Sequence, residues 1–363
     1  MNLHIVPDSK FVNAFCTNLR ELNALSNNRV IVSSRKNLKY VERDVPHAPL
    51  YSSKCESLCG DTLQYDAVYI HLFSPLMYRW VAQNSFKELN WIVWGVDLYN
   101  LPFIKFDFYE KLTRQQYSVT NRPLNEWLYL LKIWITNSRY RNQAYSKIDN
   151  VLTWMKTEYA FAKENIPSLR ANHKFFFYEN QSPYQKLDEN PSPQTETNRS
   201  LPSIIVGNSG YPTNNHLDAI DYLTRNNVNA NLYLPVSYGD RRYIAFLKKK
   251  LSNYSNGSIE FIDKYMGFDD YLKFLRGADA FVMNSVRPQG YGNVLMMLYL
   301  GKAIFMNERN ISLPDLRTNG IKINDWSEMN SILGGNSLRD NKEAVINLLS
   351  HQRLIDIYRD LFS

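Results

Sequence analysis

Short β-branched or aromatic runs alternate with longer segments of helical period along most of this chain, and that alternation constrains its fold more than any other feature. Residues 3–6, 30–33, 67–71, 91–94, 151–154 and 175–178 are the strand candidates of the first half. Strands separated by helices cannot pair through tight hairpins, so the sheet they build is mostly parallel. From 186 to 202 the chain turns polar and is broken by Pro191 and Pro193, so it has no face to bury and reads as a linker. The alternation then restarts, with strand candidates at 203–206, 231–234, 259–262, 280–284 and 303–306 and helical stretches at 216–225, 243–251 and 270–277. The expected organisation is one α/β domain over 1–185, the linker, a second α/β domain over 203–340, and closing helices over 341–363. A length of 363 residues accommodates two cores of roughly 150 residues each.

Composition narrows the setting. Lys and Arg exceed Asp and Glu by 42 − 35 = 7, which favours anionic partners. The three cysteines, Cys16, Cys55 and Cys59, are odd in number and lack the second pair that a zinc site needs, so reduced cytosolic thiols are expected. Residues 1–10 lack the parts of a signal peptide. No run reaches the roughly 20 apolar residues of a spanning helix. The richest, 127–135, contains Lys132, so any membrane contact is expected to be peripheral.

In open α/β sheets, ligands bind beyond the carboxyl ends of the strands. After 203–206 come Gly207, Asn208, Ser209 and Gly210, then Asn214, before a helix that starts near His216. Such a loop presents backbone N–H groups to a phosphate, although a glycine-rich connection is more often a tight turn. After 280–284, Arg287 supplies a fixed positive charge, and Gly290 and Gly292 let the backbone approach a ligand. Gln289 precedes them, and a helix amino terminus at Asn293 completes a set that suits a diphosphate. Pro235, Tyr238 and Gly239 end one further strand, and Asn307 and Glu308 another. Glu308 reads as a partner for a ribose or sugar hydroxyl, or as a surface carboxylate beside Arg309. In the first half Trp94, Gly95, Asp97 and Tyr99 follow a strand that is apolar on both faces. Asp97 is placed there to act as a base or to fix an acceptor hydroxyl, with His71 reaching the same cleft from the neighbouring strand. A histidine so placed is more often structural.

Between 103 and 147, the basic Lys105, Lys111, Arg114, Arg122, Lys132, Arg139, Arg141 and Lys147 outnumber the acidic Asp107, Glu110 and Glu126. Leu124, Trp127, Leu128, Leu131, Trp134 and Ile135 share helical spacing, which fits an interfacial membrane contact or core packing with a solvated basic end. Nucleic acid fits poorly, because no recognition motif accompanies the charge.

Trp94-Gly-Val-Asp-Leu-Tyr99, Val206-Gly-Asn-Ser-Gly210 with Asn214 and His216 after it, Asp270-Tyr-Leu-Lys-Phe-Leu-Arg276, Gln289-Gly-Tyr-Gly292 and residues 307–310 occur in one order. In that order the chain resembles glycosyltransferase family 56 over most of its length. The type member moves 4-acetamido-4,6-dideoxygalactose (Fuc4NAc) from a dTDP-sugar to an undecaprenyl-diphosphate-linked disaccharide in enterobacterial common antigen assembly. The resemblance implies a GT-B fold, with two Rossmann-like doubly wound domains facing a central cleft. It places the acceptor on the first domain, near Trp94, Gly95 and Tyr99, and the donor on the second. Asn208, Ser209, Arg287, Gly290 and Gly292 are then the nucleotide-diphosphate contacts. Peripheral attachment at the cytoplasmic face of the bacterial inner membrane is also implied. No metal or other cofactor is expected, since cations and helix dipoles stabilise the leaving diphosphate and no convincing Asp-x-Asp pair is present. An α-linked donor giving an α-linked product implies retention, so Arg287 carries more weight than Asp97 or His71. The rival readings are a non-catalytic nucleotide-sugar-binding scaffold and a nucleotide-sugar epimerase. Against the latter, Pro7-Asp-Ser-Lys10 stands where a Gly-x-Gly-x-x-Gly would follow the first strand.

Overall fold

A computed structural model of the chain describes residues 1–34, 38–42, 45–117, 128, 131, 135, 138–178, 184, 200–334 and 340–363. Its contacts divide it into two compact units. The first is Met1–Lys105 with Arg122–Asn180 and Ser350–Ser363; the second is Phe106–Asn121 with Gln181–Leu349. All but the last three residues of the expected linker lie outside the described residues, as do Leu124, Trp127 and Trp134 of the aromatic stripe. Its remaining members Leu128, Leu131 and Ile135 are exposed. Among the described residues no helix is long and apolar enough to cross a membrane.

The first unit holds β1 (Asn2–Val6), β2 (Asn28–Ser33), β3 (His47–Ala48), β4 (Val68–His71), β5 (Leu89–Ile92), β6 (Asn150–Thr153) and β7 (Asn172–Phe175). They form one parallel sheet in the order β3-β2-β1-β4-β5-β6-β7. Leu3 pairs with Arg29 on one side and Val68 on the other. β1, β4, β5 and β6 are buried along their whole length, as parallel strands covered on both faces must be. The expected strands at 91–94 and 175–178 begin earlier, at Leu89 and Asn172. At β5 the reason is an amide pair: Asn90 and Asn150 are buried side by side, and Asn150 Nδ2 donates to Asn90 Oδ1 at 2.9 Å. A polar residue satisfied by its cross-strand neighbour extends a strand that hydrophobicity alone would start later. At the other end, Trp94 N–H leaves the ladder for the Asp97 carboxylate.

The helix His351–Phe362 packs in this unit, burying Leu354, Tyr358 and Phe362. Asn18 Nδ2 donates to the Tyr358 hydroxyl at 3.1 Å, and Asn28 Nδ2 donates to the carbonyls of Ala24 and Phe362, each at 2.7 Å. Full burial of a side chain the size of Phe362 contributes about 2 kcal/mol.

The second unit holds β8 (Ser203–Val206), β9 (Asn231–Pro235), β10 (Ile259–Ile262), β11 (Ala280–Met283) and β12 (Ala303–Met306), parallel in the order β10-β9-β8-β11-β12. The strands at 203–206, 259–262 and 303–306 and the helix His216–Arg225 have the limits expected of them. Ile204, Val206, Leu232, Leu234, Val282 and Phe305 form the centre of the core. Segment 106–121 completes this unit although residues on both sides of it belong to the first. Its helix Lys111–Gln116 is held by Asp218, whose carboxylate accepts the N–H groups of Leu112 and Thr113 and the Thr113 hydroxyl at 2.6, 2.9 and 2.7 Å. Tyr117 then donates to Asp240 at 3.1 Å and packs edge-on against Tyr243.

Burial in the first unit has a consequence for pH. Desolvation brings the His4 imidazole down to about 4, against a hydrogen bond with Asn28 that raises it. The unfolded chain therefore binds more protons than the folded one between about 4 and the ordinary value of 6.5. The stability contributed by keeping His4 neutral is complete above pH 6.5 and lost as the pH falls towards 4. Thermal unfolding at pH 5 is expected to show the first unit weakened by about 2 kcal/mol from His4 relative to pH 7.5.

Candidate functional site

The strand order of the second sheet reverses between β8 and β11, so the connections leaving these neighbours diverge and open a crevice at their carboxyl ends. Residues 207–210 and 284–293 lie at that point. Gly207 N–H donates to Val282 O at 2.8 Å, extending the ladder to the end of β11. Asn214, fully buried, receives the Asn208 N–H on its Oδ1 at 3.0 Å and donates from Nδ2 to the Ser209 carbonyl and hydroxyl at 2.9 and 3.0 Å. One side chain thus fixes the course of the loop after β8.

Two further connections are tied to this loop. Gly210 N–H donates to Tyr238 O at 2.8 Å, and Asp240 N–H donates back to Gly210 O at 3.0 Å. The approach is so close that a Cβ on Gly239, whose φ is +135°, would lie 2.4 Å from the Gly210 carbonyl carbon. Asn208 Nδ2 donates to the Tyr238 hydroxyl at 3.1 Å, and Gln289 Nε2 donates to Asn208 Oδ1 at 3.3 Å. Gln289 Oε1 in turn accepts from Arg287 Nε at 3.0 Å and from the Thr213 hydroxyl at 2.9 Å. The Arg287 cation is thereby steered by an amide of its own loop. Gly290 precedes the helix Tyr291–Tyr299 with φ +63°, and a Cβ there would lie 2.7 Å from Asn208 Cγ. No side chain caps that helix start, and the positive end of its dipole follows directly on the loop that carries Arg287.

The fold thus brings together Gly207, Asn208, Ser209, Gly210, Asn214, Tyr238, Gly239, Arg287, Gln289 and Gly290, with Gly292 and Asn293 in the first helical turn. Pro235 ends β9 opposite Ile262 and joins none of these bonds. Asn307 belongs to an adjoining cluster. It donates to Asn284 Oδ1 at 2.8 Å and to Glu110 Oε1 at 3.0 Å, and the same oxygen receives Arg309 Nη1 at 3.0 Å. Asn284 donates to Asn215 O at 3.1 Å, and Asn215 Oδ1 accepts the Glu110 N–H at 3.0 Å. Glu110 and Thr213 were missed as site residues: Glu110 lies in a basic segment far away in sequence, and a threonine in a polar loop carries no signal. Glu308 lines a separate cavity of this unit with Arg317 and Trp326.

In the first unit His71, Gly95, Asp97 and Tyr99 are buried and Trp94 is half-buried. The Asp97 carboxylate accepts Phe73 N–H and Trp91 Nε1–H on Oδ2 at 2.8 and 2.7 Å, and Trp94 N–H on Oδ1 at 2.9 Å. Burial pushes its carboxyl above the ordinary carboxylate range while these donors pull it down. His71 stands inside a chain of hydrogen bonds whose direction can be worked out. Asn28 spends Nδ2 on two carbonyls, so its Oδ1 accepts from His4 Nε2 at 2.9 Å. His4 Nδ1 then accepts from His71 Nε2 at 3.1 Å, and His71 Nδ1 accepts the Tyr178 hydroxyl proton at 2.6 Å. Trp94 Nε1–H donates to the Tyr178 oxygen at 2.7 Å. Both histidines are neutral in this arrangement, and burial holds the His71 imidazole well below its usual value. Tyr99, buried, donates to Glu158 at 3.1 Å, and Gly95 opens the short helix Val96–Tyr99.

Two substitutions test these assignments. Asp97→Asn turns an acceptor of three N–H groups into a group with only one acceptor oxygen, so chemical denaturation is expected to show a loss of about 2–4 kcal/mol. Gly290→Ala forces a Cβ into Asn208 at a left-handed φ. Calorimetric titration with a nucleoside diphosphate is expected to show about tenfold weaker binding, with about 1–2 kcal/mol lost in stability.

Known structures share this architecture along the full chain. Sucrose-phosphate synthase from Thermosynechococcus elongatus aligns over 99% of this chain and 98% of its own, with a TM-score of 0.58 and 11% identity. WaaG, a glycosyltransferase involved in lipopolysaccharide biosynthesis, covers the same shares at 0.54 and 11%, and Anabaena Alr3699/HepE in complex with UDP covers them at 0.55 and 12%. At such identities the likeness establishes the fold, which is GT-B. Residues 136–343, more than half of the chain, match the sequence model of the 4-alpha-L-fucosyltransferase glycosyl transferase group 56, and the chain belongs to that family of glycosyltransferases.

Proposed function

We propose that this protein transfers an amino-deoxy sugar, Fuc4NAc or a close relative, from a dTDP-sugar to an undecaprenyl-diphosphate-linked oligosaccharide in bacterial surface polysaccharide synthesis. The observation that carries the reading is the crevice between β8 and β11, where Arg287, an uncapped helix start and two glycine-bearing loops meet. That combination suits the diphosphate of a nucleotide sugar, whose negative charge grows as the bond to the anomeric carbon breaks. In a retaining transfer the acceptor oxygen forms its bond to that carbon on the face the diphosphate leaves, and the departing phosphate oxygen takes the acceptor proton. Arg287 and the Tyr291–Tyr299 helix dipole stabilise the leaving group without a metal, and no enzymic base is required. On this reading Asp97 and His71 shape the acceptor side, where Trp94 and Gly95 lie, rather than exchanging protons. Their closed hydrogen bonding supports that role. Donor contacts by Ser209, Asn307 and Gly292, a peripheral position on the cytoplasmic face of the inner membrane and an acceptor on the first unit belong to the same proposal.

Purified protein incubated with dTDP-Fuc4NAc, a panel of UDP-, GDP- and other dTDP-sugars and a lipid-linked acceptor is expected to label the lipid from a dTDP-sugar alone. Arg287→Ala is expected to lower turnover by roughly 10²–10³. Donor binding without transfer to any acceptor would favour a non-catalytic scaffold. Full activity of Arg287→Ala would remove the assignment of the leaving-group site.

A further inference from the structure

Residues 106–117 pack on the second unit, although the chain on both sides of segment 106–121 belongs to the first. They reach three of the connections that leave the carboxyl ends of its strands. After β8, Asn215 Oδ1 accepts the Glu110 N–H at 3.0 Å and Asn215 Nδ2 donates to Phe108 O at 3.1 Å. Asn215 directly follows Asn214, which fixes the course of that loop, and its Nδ2 also donates to Asn284 O at 3.0 Å, just past β11. After β9, the Asp240 carboxylate accepts the Tyr117 hydroxyl, while the Asp240 N–H holds Gly210 O where two crevice loops cross. After β12, Asn307 and Arg309 both donate to Glu110 Oε1, and Arg309 Nη2 donates to Asp107 O at 2.9 Å.

The segment is held mainly by such polar bonds. Of residues 106–117 only Phe108 and Thr113 are buried. Leu112 and Tyr117 are partly buried against the small cluster of Leu217, Tyr243 and Leu247. A segment with so little buried apolar surface opens at a lower cost than the core beneath it. Opening takes from Asn215 and Asp240 the partners that hold them from outside the crevice, and these same two residues hold or adjoin the loops inside it. A ligand that fixes those loops therefore favours the docked segment, and an undocked segment leaves the loops looser for the ligand.

We propose that residues 106–117 form a strap that positions the donor loops, and that docking of the strap and binding of a nucleoside diphosphate in the crevice promote each other. The proposal rests on the crevice being the donor site. Asn215 and Asp240 are its positioning residues, and they act without touching the ligand. The coupling is reciprocal: the factor by which the ligand favours docking is the factor by which loss of docking weakens the ligand.

Hydrogen exchange of the full chain with and without dTDP tests this. The backbone amides of Glu110, Leu112 and Thr113 donate to the side chains of Asn215 and Asp218, so their exchange reports undocking. They are expected to exchange ahead of the amides of β8 and β11, and saturating dTDP is expected to slow them about fivefold or more. Asp218→Asn leaves one acceptor oxygen for three donors, and Tyr117→Phe keeps the ring while removing the bond to Asp240. The double variant is expected to bind dTDP about fivefold or more weakly in calorimetry, with β8 and β11 still protected, which separates loss of docking from loss of the fold. Three outcomes overturn the strap and leave the donor crevice standing: the three amides exchange only together with β8 and β11, dTDP binds without slowing them, or the folded double variant binds dTDP as the parent does. Failure of the parent to bind dTDP at all overturns the crevice reading and the strap with it.

Discussion

The carboxamide of Asn208 ties three strand ends of the second unit into one polar knot. It donates to Tyr238 after β9 and accepts from Gln289 after β11, while its own backbone N–H is held by Asn214. In this unit β11 and β12 are buried along their length and wholly apolar, and β8 is so after Ser203, so polarity collects at the strand ends. An amide suits such a place because it donates and accepts without charge, and so can be buried without the desolvation penalty of an ion. The placement of Arg287 follows from this knot: Gln289, the residue that orients its guanidinium, is itself held by Asn208 and Thr213.

The first unit uses buried polar groups to another end. From Asn28 through His4, His71 and Tyr178 to Trp94, each donor meets one acceptor, and the sequence of donors is fixed by the two carbonyls that Asn28 serves. One of these carbonyls is that of Phe362, so the last helix is part of the same arrangement. A neutral network of this kind rigidifies its surroundings and leaves neither imidazole a free ring nitrogen for chemistry. Asp97 behaves likewise, holding the backbone beyond β4 and β5 through Phe73 and Trp94.

Much of this was legible in the residues. Apolar runs located the strands, and three in the second unit have the expected limits because their polar flanks are turns. The candidates after β8 and β11 converge because adjacent parallel strands place their carboxyl ends side by side. Where the reading slipped, a polar residue had a partner distant in sequence. Asn90 looked like a boundary until Asn150 stood beside it, and the two-residue strand His47–Ala48 is too short to leave a periodic signal. Consecutive Asn307 and Glu308 were read as one pair, yet they line different places because residues leaving a strand diverge.

The sequence by itself determined the class of the molecule: the alternation of apolar runs and helical segments dictates parallel sheets, and the motif order dictates the family. Local periodicity suffices for that, because burial of strands and helix faces depends on neighbours a few residues apart. Only the tertiary structure decided that segment 106–121 completes the second unit and that His351–Phe362 belongs to the first. It also decided that His71 is a closed link in a neutral chain, and that Asn307 and Glu308, consecutive in sequence, line different places. Each of these depends on which distant residue arrives to fill a hydrogen bond or leave it open. That is fixed when the sheets assemble, and no spacing along the chain encodes it.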